Sequence, residues 1–338
     1  MKAVGQFRAL PIEDPESLVD REIAMPAPRD SDLLVRVEAI SVNPFDVHTR
    51  KRKPDDGVFS VLGWDVAGEV VEVGANVSSF SVGDAVFYAG DKSRPGANSE
   101  YHVVDAALVG HRPKTLDATR AAALPLTTLT AWESLYEGLG LRIDGGHVNK
   151  SLLIVGGAGG VGSMAIQLAR LVPGLDVVAT ASRPQSQAWC KDLGAHAVID
   201  HFSDMRAQME TLGRRAPDLI LILNNPDHHY AALADLIAPQ GRMCSIVPFA
   251  AAPNLNQIQP KSVSFHWESV FTRPVFDTPD KKLHGEILNE VAVMIDDGHL
   301  ISTAGEALGY INAQNLRLAH AHLEQGQTIG KIVLAGFE

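Results

Sequence analysis

The chain has 338 residues, 46% of them apolar, and a formal net charge of −11; that length suits two domains with sizeable cores, and the acidic balance argues against a nucleic-acid or anionic-membrane partner. Its two cysteines, Cys190 and Cys244, are far apart in sequence, which excludes a disulfide framework and a cysteine-built zinc cluster. The opening MKAVGQFRAL lacks the apolar run of a signal peptide, and no stretch of about 18 apolar residues occurs, so a cytoplasmic protein is expected.

In chain order, Leu33 to Ile40 alternates apolar and polar residues as a half-buried strand does. Val61 to Val73 is rich in β-formers and punctuated by Gly63 and Gly68, Ala85 to Tyr88 follows a Val-Gly-Asp turn, and Glu100 to Val104 reads as another strand. Residues 1 to about 125 therefore predict a barrel-like β domain. The period changes near residue 116: Asp117 to Leu124 and Thr127 to Leu139 read as helices, the second closed by Gly140. Short apolar strands are expected at 152–155, 177–181, 197–199, 219–223 and 243–247. Helices are expected after Gly160, at 185–193 before Gly194, and near 204–212 and 229–238. That alternation argues for a parallel, doubly wound sheet. Ser262 to Phe265, helices over 280–297 and 312–324, and a closing strand 331–334 complete the chain.

The centre of this pattern is Ser151 to Arg183. Strand 152–155 runs directly into Gly157-Ala158-Gly159-Gly160-Val161-Gly162, which fits G-x-G-x-x-G, and a helix follows with Val161, Ala165, Leu168, Ala169 and Val172 on one face. Glycines between a strand and a helix let the chain turn tightly, let a pyrophosphate approach the backbone, and let helix pack on strand. The free N–H groups at the helix start then face an anion. Ser182 and Arg183 stand at the end of the next strand, where a hydroxyl and a guanidinium suit a 2′-phosphate. Asp176 precedes that strand, at the wrong end to hold a ribose hydroxyl. NADP(H) is therefore the expected cofactor.

Several stretches together resemble the medium-chain dehydrogenase/reductase superfamily, and most closely its zinc-independent quinone oxidoreductase branch, among proteins often labelled zinc-type alcohol dehydrogenase-like. They are SVNPFDVHTR (41–50), VLGWDVAGEVVEVG (61–74), LPLTTLTAWESL (124–135), the glycine turn, LIAPQGRMCSIV (236–247), HWESVFTRPVFDTPD (266–280) and HLEQGQTIGKIVL (322–334). The resemblance implies an α/β protein: a GroES-like catalytic domain from residues 1–125 and 272–338, and a Rossmann domain from 126–271. It also implies a homodimer, with a sheet edge near Val263 to Trp267 as the contact. Thr130 is expected to face the cofactor, and the backbone from Gly159 to Gly162 to carry its pyrophosphate. Asn224 and Asn225 follow a strand end where the ligand crevice lies; Val247 is placed at the nicotinamide and Lys331 near a cofactor phosphate.

Zinc enzymes of this superfamily bind their catalytic metal through an early cysteine and the histidine of a Gly-His-Glu stretch. The matching positions here are Asn43 and Gly63-Trp64-Asp65, and neither Trp nor Asn suits zinc. No metal is expected, and His228-His229 and His320-x-His322 are read as solvated helix positions. Phe45 replaces the hydroxyl of the zinc enzymes' proton relay. Without a Lewis acid, the expected reaction is hydride transfer to an already electron-poor acceptor, a quinone or an α,β-unsaturated carbonyl. Asn43 and Asp46 are the candidate catalytic residues, Asn43 as donor to the acceptor oxygen or holder of the turn before Pro44, Asp46 more to orient the loop. His48 is a candidate proton source, and Phe45, Trp64 and Phe271 are candidate walls of the acceptor pocket. A zinc-dependent alcohol dehydrogenase and a non-catalytic NADPH-binding sensor remain as alternatives.

Overall fold

A computed structural model describes residues 1–145 and 149–338. The chain opens with β1 (Lys2–Gln6), β2 (Val19–Glu22), β3 (Asp32–Val42), α1 (Pro44–Lys51), β4 (Ser60–Val61), β5 (Val66–Val73), β6 (Ala85–Tyr88), β7 (Tyr101–Asp105), β8 (Gly110–His111), α2 (Ala118–Ala122) and α3 (Pro125–Trp132). It continues with β9 (Ser151–Val155), α4 (Gly160–Arg170), β10 (Asp176–Thr180), α5 (Pro184–Asp192), β11 (Ala197–Ile199), α6 (Met205–Thr211), β12 (Leu219–Ile222), α7 (Pro226–Leu236), β13 (Arg242–Ser245) and β14 (Ser264–Trp267). It closes with α8 (Thr272–Val275), α9 (Leu283–Asp296), β15 (Ala304–Ala307), α10 (Ala313–Glu324) and β16 (Lys331–Ala335). Two compact units result: Met1–Leu129 with Phe271–Glu338, and Thr130–Val270.

The first unit is built on β3. Its 11 residues are long and rich in β-branched and apolar side chains, so it can pair along much of its length with β5, β7 and β16, antiparallel in each case. Two register shifts against β5, at Leu34/Val35 and Val37/Ala39, bend the strand and help curl the sheet, whose order is β15-β16-β3-β5-β6-β8 with β7 added on β3. A smaller sheet, β2-β1-β4, completes the unit's strands. The chain's last strand thus lies beside one of its first.

The second unit is a six-stranded sheet of order β11-β10-β9-β12-β13-β14 in which every pairing is parallel. Its two central strands, β9 and β12, are mostly apolar and buried along their whole length, as strands of a parallel sheet covered on both faces are. On one face Leu153, Val155, Ile220, Ile222 and Met243 pack with Leu233, Ile237 and Tyr230.

Some elements differ from the sequence pattern. The stretch 61–73 breaks at Gly63, where φ is +107° and a β-carbon would sit 2.2 Å from Asn98 Oδ1. The helix expected over 127–139 is α3 followed by a π-helical segment, Glu133–Gly138. The helix near 229–238 starts earlier, at Pro226, after Asn225 in a left-handed conformation. Strands β1 and β2 and helix α1 carried no clear periodic signal. Among the described residues no helix is long and apolar enough to cross a membrane.

Two of the histidines read as solvated are buried: His229 on α7 and His320 on α10. A helix face that packs inward buries whatever side chain stands on it. Among the described residues neither ring nitrogen of His320 has a hydrogen-bond partner, and burial, reinforced by Arg50 and Lys51, pushes its pKa from 6.5 down to about 3. Burial likewise lowers His102 to about 4, and burial with its neighbours His201 and His228 lowers His229 to about 4. The unfolded chain therefore takes up protons below pH 6.5 that the folded chain refuses, and stability falls as pH drops through that window. Urea midpoints should decline from pH 7.5 to pH 5, and His320→Leu should flatten the slope by about 2 kcal/mol over that range. An unchanged slope would place the acid sensitivity elsewhere.

Candidate functional site

In the second unit the parallel strands bring the carboxyl ends of β9, β10, β12 and β13 to one edge of the sheet. The turn from β9 into α4 lies there, and its glycines serve different ends. Gly156, outside the expected motif, takes φ +90°, and its β-carbon position lies 3.1 Å from Asn224 Oδ1. A β-carbon on Gly157 would lie 2.7 Å from Ala179 Cβ, and one on Gly162 would lie 2.4 Å from the Gly156 carbonyl oxygen, so both positions are closed by packing. Gly159 differs: it has an ordinary extended conformation, and a β-carbon there would meet only the Gly156 oxygen, at 3.8 Å. Among the described residues nothing requires glycine at 159. Among the described residues no side chain caps the start of α4, which leaves first-turn N–H groups available.

Thr180 ties β10 to the turn. Its Oγ1 accepts from the Gly156 N–H at 3.0 Å and lies 3.1 Å from His201 Nδ1. Ser182 and Arg183 follow it, both half-buried, with Arg183 at the N-cap of α5 and its carbonyl accepting from Ser186 Oγ at 2.9 Å. Asn224 and Asn225 are exposed just past β12, and Val247 lies two residues past β13. The strand ends thus bring the glycine turn, Ser182, Arg183, Asn224, Asn225 and Val247 to one edge. Thr130 is buried on α3 and belongs to the same unit. This set fits a dinucleotide: an open cradle at Gly159 and an uncapped helix start at the strand ends.

A second constellation lies in the first unit, where β3 runs into α1. The Asn43 backbone N–H donates to Asp46 Oδ2 at 2.6 Å, which fixes the first turn of α1. The Asn43 amide donates to Asp65 Oδ2 at 2.8 Å, as does Ser41 Oγ, while Asp65 Oδ1 accepts from the Leu126 N–H at 2.7 Å. Lys331 closes the network. Its ammonium donates to the Val42 carbonyl and Asp65 Oδ2, each at 3.0 Å, and to Asn43 Oδ1. Lys331 is 3% exposed and Asp65 0%. Burial raises the Asp46 carboxyl to about 7, against the lowering effect of the Asn43 N–H and of Lys331. A buried carboxyl next to a second carboxylate is held neutral more easily than ionised.

Lys331 therefore does not serve as expected. All three of its N–H donors are spent inside this network, so none remains for a cofactor phosphate. His48 is exposed on α1, and its pKa is lowered by partial burial, then by Arg52 and Lys51. Asp65 and Gly156 were missed as site residues, although an acid inside VLGWDVAG and a doubled glycine were visible in the sequence.

Beside the network stand three aromatic rings. Phe45, half-buried at the start of α1, lies 4.9 Å from Trp64 edge-on and 4.9 Å from Phe271. Trp64 and Phe271 are 6.3 Å apart and buried, and among the described residues the Trp64 indole N–H has no hydrogen-bond partner. The three residues expected to wall a pocket are thus one cluster. Zinc does not fit here. Among the described residues no three His, Cys, Asp or Glu side chains converge as a metal would need, and the Asn43 oxygen and Asp65 already hold an ammonium.

Residues 29–114 match the family described as alcohol dehydrogenase GroES-like domain, and residues 193–334 that described as zinc-binding dehydrogenase. A zinc-type alcohol dehydrogenase-like protein of Staphylococcus aureus is 36% identical over 335 residues, 99% of each chain. A Rhizobium etli protein solved as a candidate zinc-dependent alcohol dehydrogenase is 48% identical with a TM-score of 0.95, covering 100% of this chain and 98% of its own. A quinone oxidoreductase of Pseudomonas syringae is 26% identical with a TM-score of 0.83, covering 99% of both. The chain belongs to the medium-chain dehydrogenase/reductase superfamily. It is an oxidoreductase with the Rossmann and GroES-like domains of that superfamily.

The buried network makes a direct prediction. Lys331→Met removes the ammonium from buried Asp65 and should cost about 3–5 kcal/mol, read as a lowered urea midpoint. Adding Asp65→Asn should restore part of that loss. If the single variant unfolded like the wild type, the pair would not be structural.

Proposed function

We propose that this protein is a cytoplasmic, zinc-independent, NADPH-dependent reductase that transfers hydride to a quinone or to the β-carbon of an α,β-unsaturated carbonyl. The observation that carries the reading is the Asn43–Asp65–Lys331 network: where zinc relatives hold metal ligands, this chain holds a buried ammonium beside an aromatic cluster. The glycine-turn unit is assigned the cofactor. Bound there, a dihydronicotinamide supplies the hydride. Arg183 and Ser182 would bind the 2′-phosphate, the N–H groups of Gly160 to Gly162 the pyrophosphate, and Asn224, Asn225 and Val247 would border the remainder of the dinucleotide. The aromatic cluster of the first unit is assigned the flat acceptor, with Phe45, Trp64 and Phe271 excluding water from it. Asn43 and Asp46 then act by holding α1 and Phe45 in position.

An ammonium with all its protons committed cannot coordinate an alkoxide as zinc does. The acceptor must therefore bring its own electron sink, which a conjugated carbonyl has. The same donor set disfavours a zinc-dependent alcohol dehydrogenase, and turnover separates the reductase from a non-catalytic sensor. A homodimer is supported by β14, an outer strand of the six-stranded sheet with Trp267 49% exposed; light scattering at the monomer mass would remove that part.

The main test is NADPH oxidation with menadione and cyclohexenone. Turnover should survive a chelator and should favour NADPH over NADH. Arg183→Ala should cut that preference about 10-fold or more, the loss of one charged hydrogen bond. Gly159→Ala should fold with unchanged stability yet bind NADPH more weakly, whereas Gly162→Ala should lose stability outright. No turnover on either acceptor, by protein that binds NADPH, would overturn the reading.

A further inference from the structure

Lys92 lies in the loop between β6 and β7. Its Nζ is 5.8 Å from the centroid of Phe45 and 5.8 Å from that of Phe271. The side chain is exposed and, among the described residues, makes no hydrogen bond or ion pair. Exposed lysines ordinarily extend into water; this one is held over two rings of the cluster, where ring faces attract a cation. Its loop is anchored on both sides of the turn. Arg94 forks onto Asp32 with bonds of 2.9 and 2.8 Å, and Asp32 is almost fully buried. His102 Nε2 lies 3.0 Å from the Pro95 carbonyl and Nδ1 lies 2.9 Å from Tyr88 Oη. A neutral ring donating to Pro95 and accepting from Tyr88 satisfies both contacts, in keeping with the lowered His102 pKa. The anchored loop thus presents three N–H donors, unused among the described residues, and a positive charge to an aromatic cluster whose indole N–H is likewise unused among them.

We propose that Lys92 is the oxyanion-binding residue of this protein: its ammonium receives the carbonyl oxygen of a planar acceptor resting against Phe45 and Phe271. The proposal rests on the reductase reading for its reaction but not for its binding chemistry. In an enone, hydride from the dihydronicotinamide forms a new C–H bond at the β-carbon. The C=C electron pair moves to join the α-carbon to the carbonyl carbon, and the carbonyl π pair settles on oxygen as an enolate. The cofactor is oxidised by two electrons and the acceptor reduced by two; the enolate then takes a proton at the α-carbon from water. Lys92 holds the oxygen while that charge exists. It thereby meets the need for a cation without a metal, which the buried Lys331 cannot do.

Para-nitrophenolate, an aromatic oxyanion that cannot be reduced by hydride transfer to a ring carbonyl, tests the binding; its absorbance separates the anion from the phenol. Titrations above and below the phenol's own pKa would use wild type, Lys92→Met and Lys92→Arg. Wild type should bind the anion more tightly than the neutral phenol. Lys92→Met should lose about 10-fold or more in affinity for the anion and little for the phenol, and Lys92→Arg should recover most of the loss. Menadione reduction should fall in parallel, chiefly in kcat, with NADPH affinity unchanged. Equal anion binding by Lys92→Met and wild type would overturn the proposal whether or not the protein reduces quinones. Selective anion binding without turnover on any acceptor would uphold the oxyanion site and sink only the reductase reading.

Discussion

The first unit depends on a charge buried where its two chain segments meet. Lys331, near the end of the sequence, donates to Val42, Asn43 and Asp65 from its beginning, a separation of 266 residues from Asp65. The last strand, β16, lies antiparallel against β3, and the ammonium pins their junction just where β3 gives way to α1. A buried ion pair of this kind is weak evidence for net stability but strong evidence for geometry, because leaving either partner alone in the interior is costly. What it fixes is the orientation of the Asn43 amide, and through Asn43 and Asp46 the first turn of α1. Phe45 stands in that turn, so the position of the aromatic cluster follows from an electrostatic constraint beneath it.

The glycine turn obeys a different logic, in which one residue type does several jobs. Gly156 is needed for its positive φ, Gly157 and Gly162 for close approach of helix to strand, and Gly159 for neither. A position where the folded chain leaves room for a side chain, in a motif otherwise closed to one, is best explained by something outside the chain that fills the space. That separates the structural glycines from the one available to a ligand.

Much of the architecture was legible in the sequence for physical reasons. The strands of the parallel sheet are short apolar runs bounded by helices, and the alternation of 33–40 marked β3. The glycine turn could be placed to the residue because strand, glycines and helix adjoin. Other features were not legible. Lys331 was expected near a cofactor phosphate, and nothing local shows that Asp65 will face it instead. Lys92 is one lysine in a loop, and its place above Phe45 and Phe271 depends on Arg94 reaching Asp32. His229 and His320 were misjudged because a histidine on an amphipathic helix gives no sign of which face will pack. In each case the missing information was a contact between residues far apart in the chain.

An ammonium and a zinc ion differ in what they can do at a site, not merely in how tightly they bind. A divalent ion accepts lone pairs and can hold a substrate oxygen while still bound by the protein. A lysine offers three hydrogen bonds, and Lys331 has spent all three on the backbone and on Asn43 and Asp65. Its charge still acts through space: it opposes the burial that drives Asp46 toward neutrality, so the network tolerates two carboxyl groups in a dry interior. Under the proposed function, a cation that meets a developing negative charge on the acceptor comes from a group with free donors, and the exposed Lys92 beside the aromatic cluster is assigned that part. On the proposed reading, the cationic role that a single zinc ion combines is divided between a structural lysine below the rings and an exposed one above them.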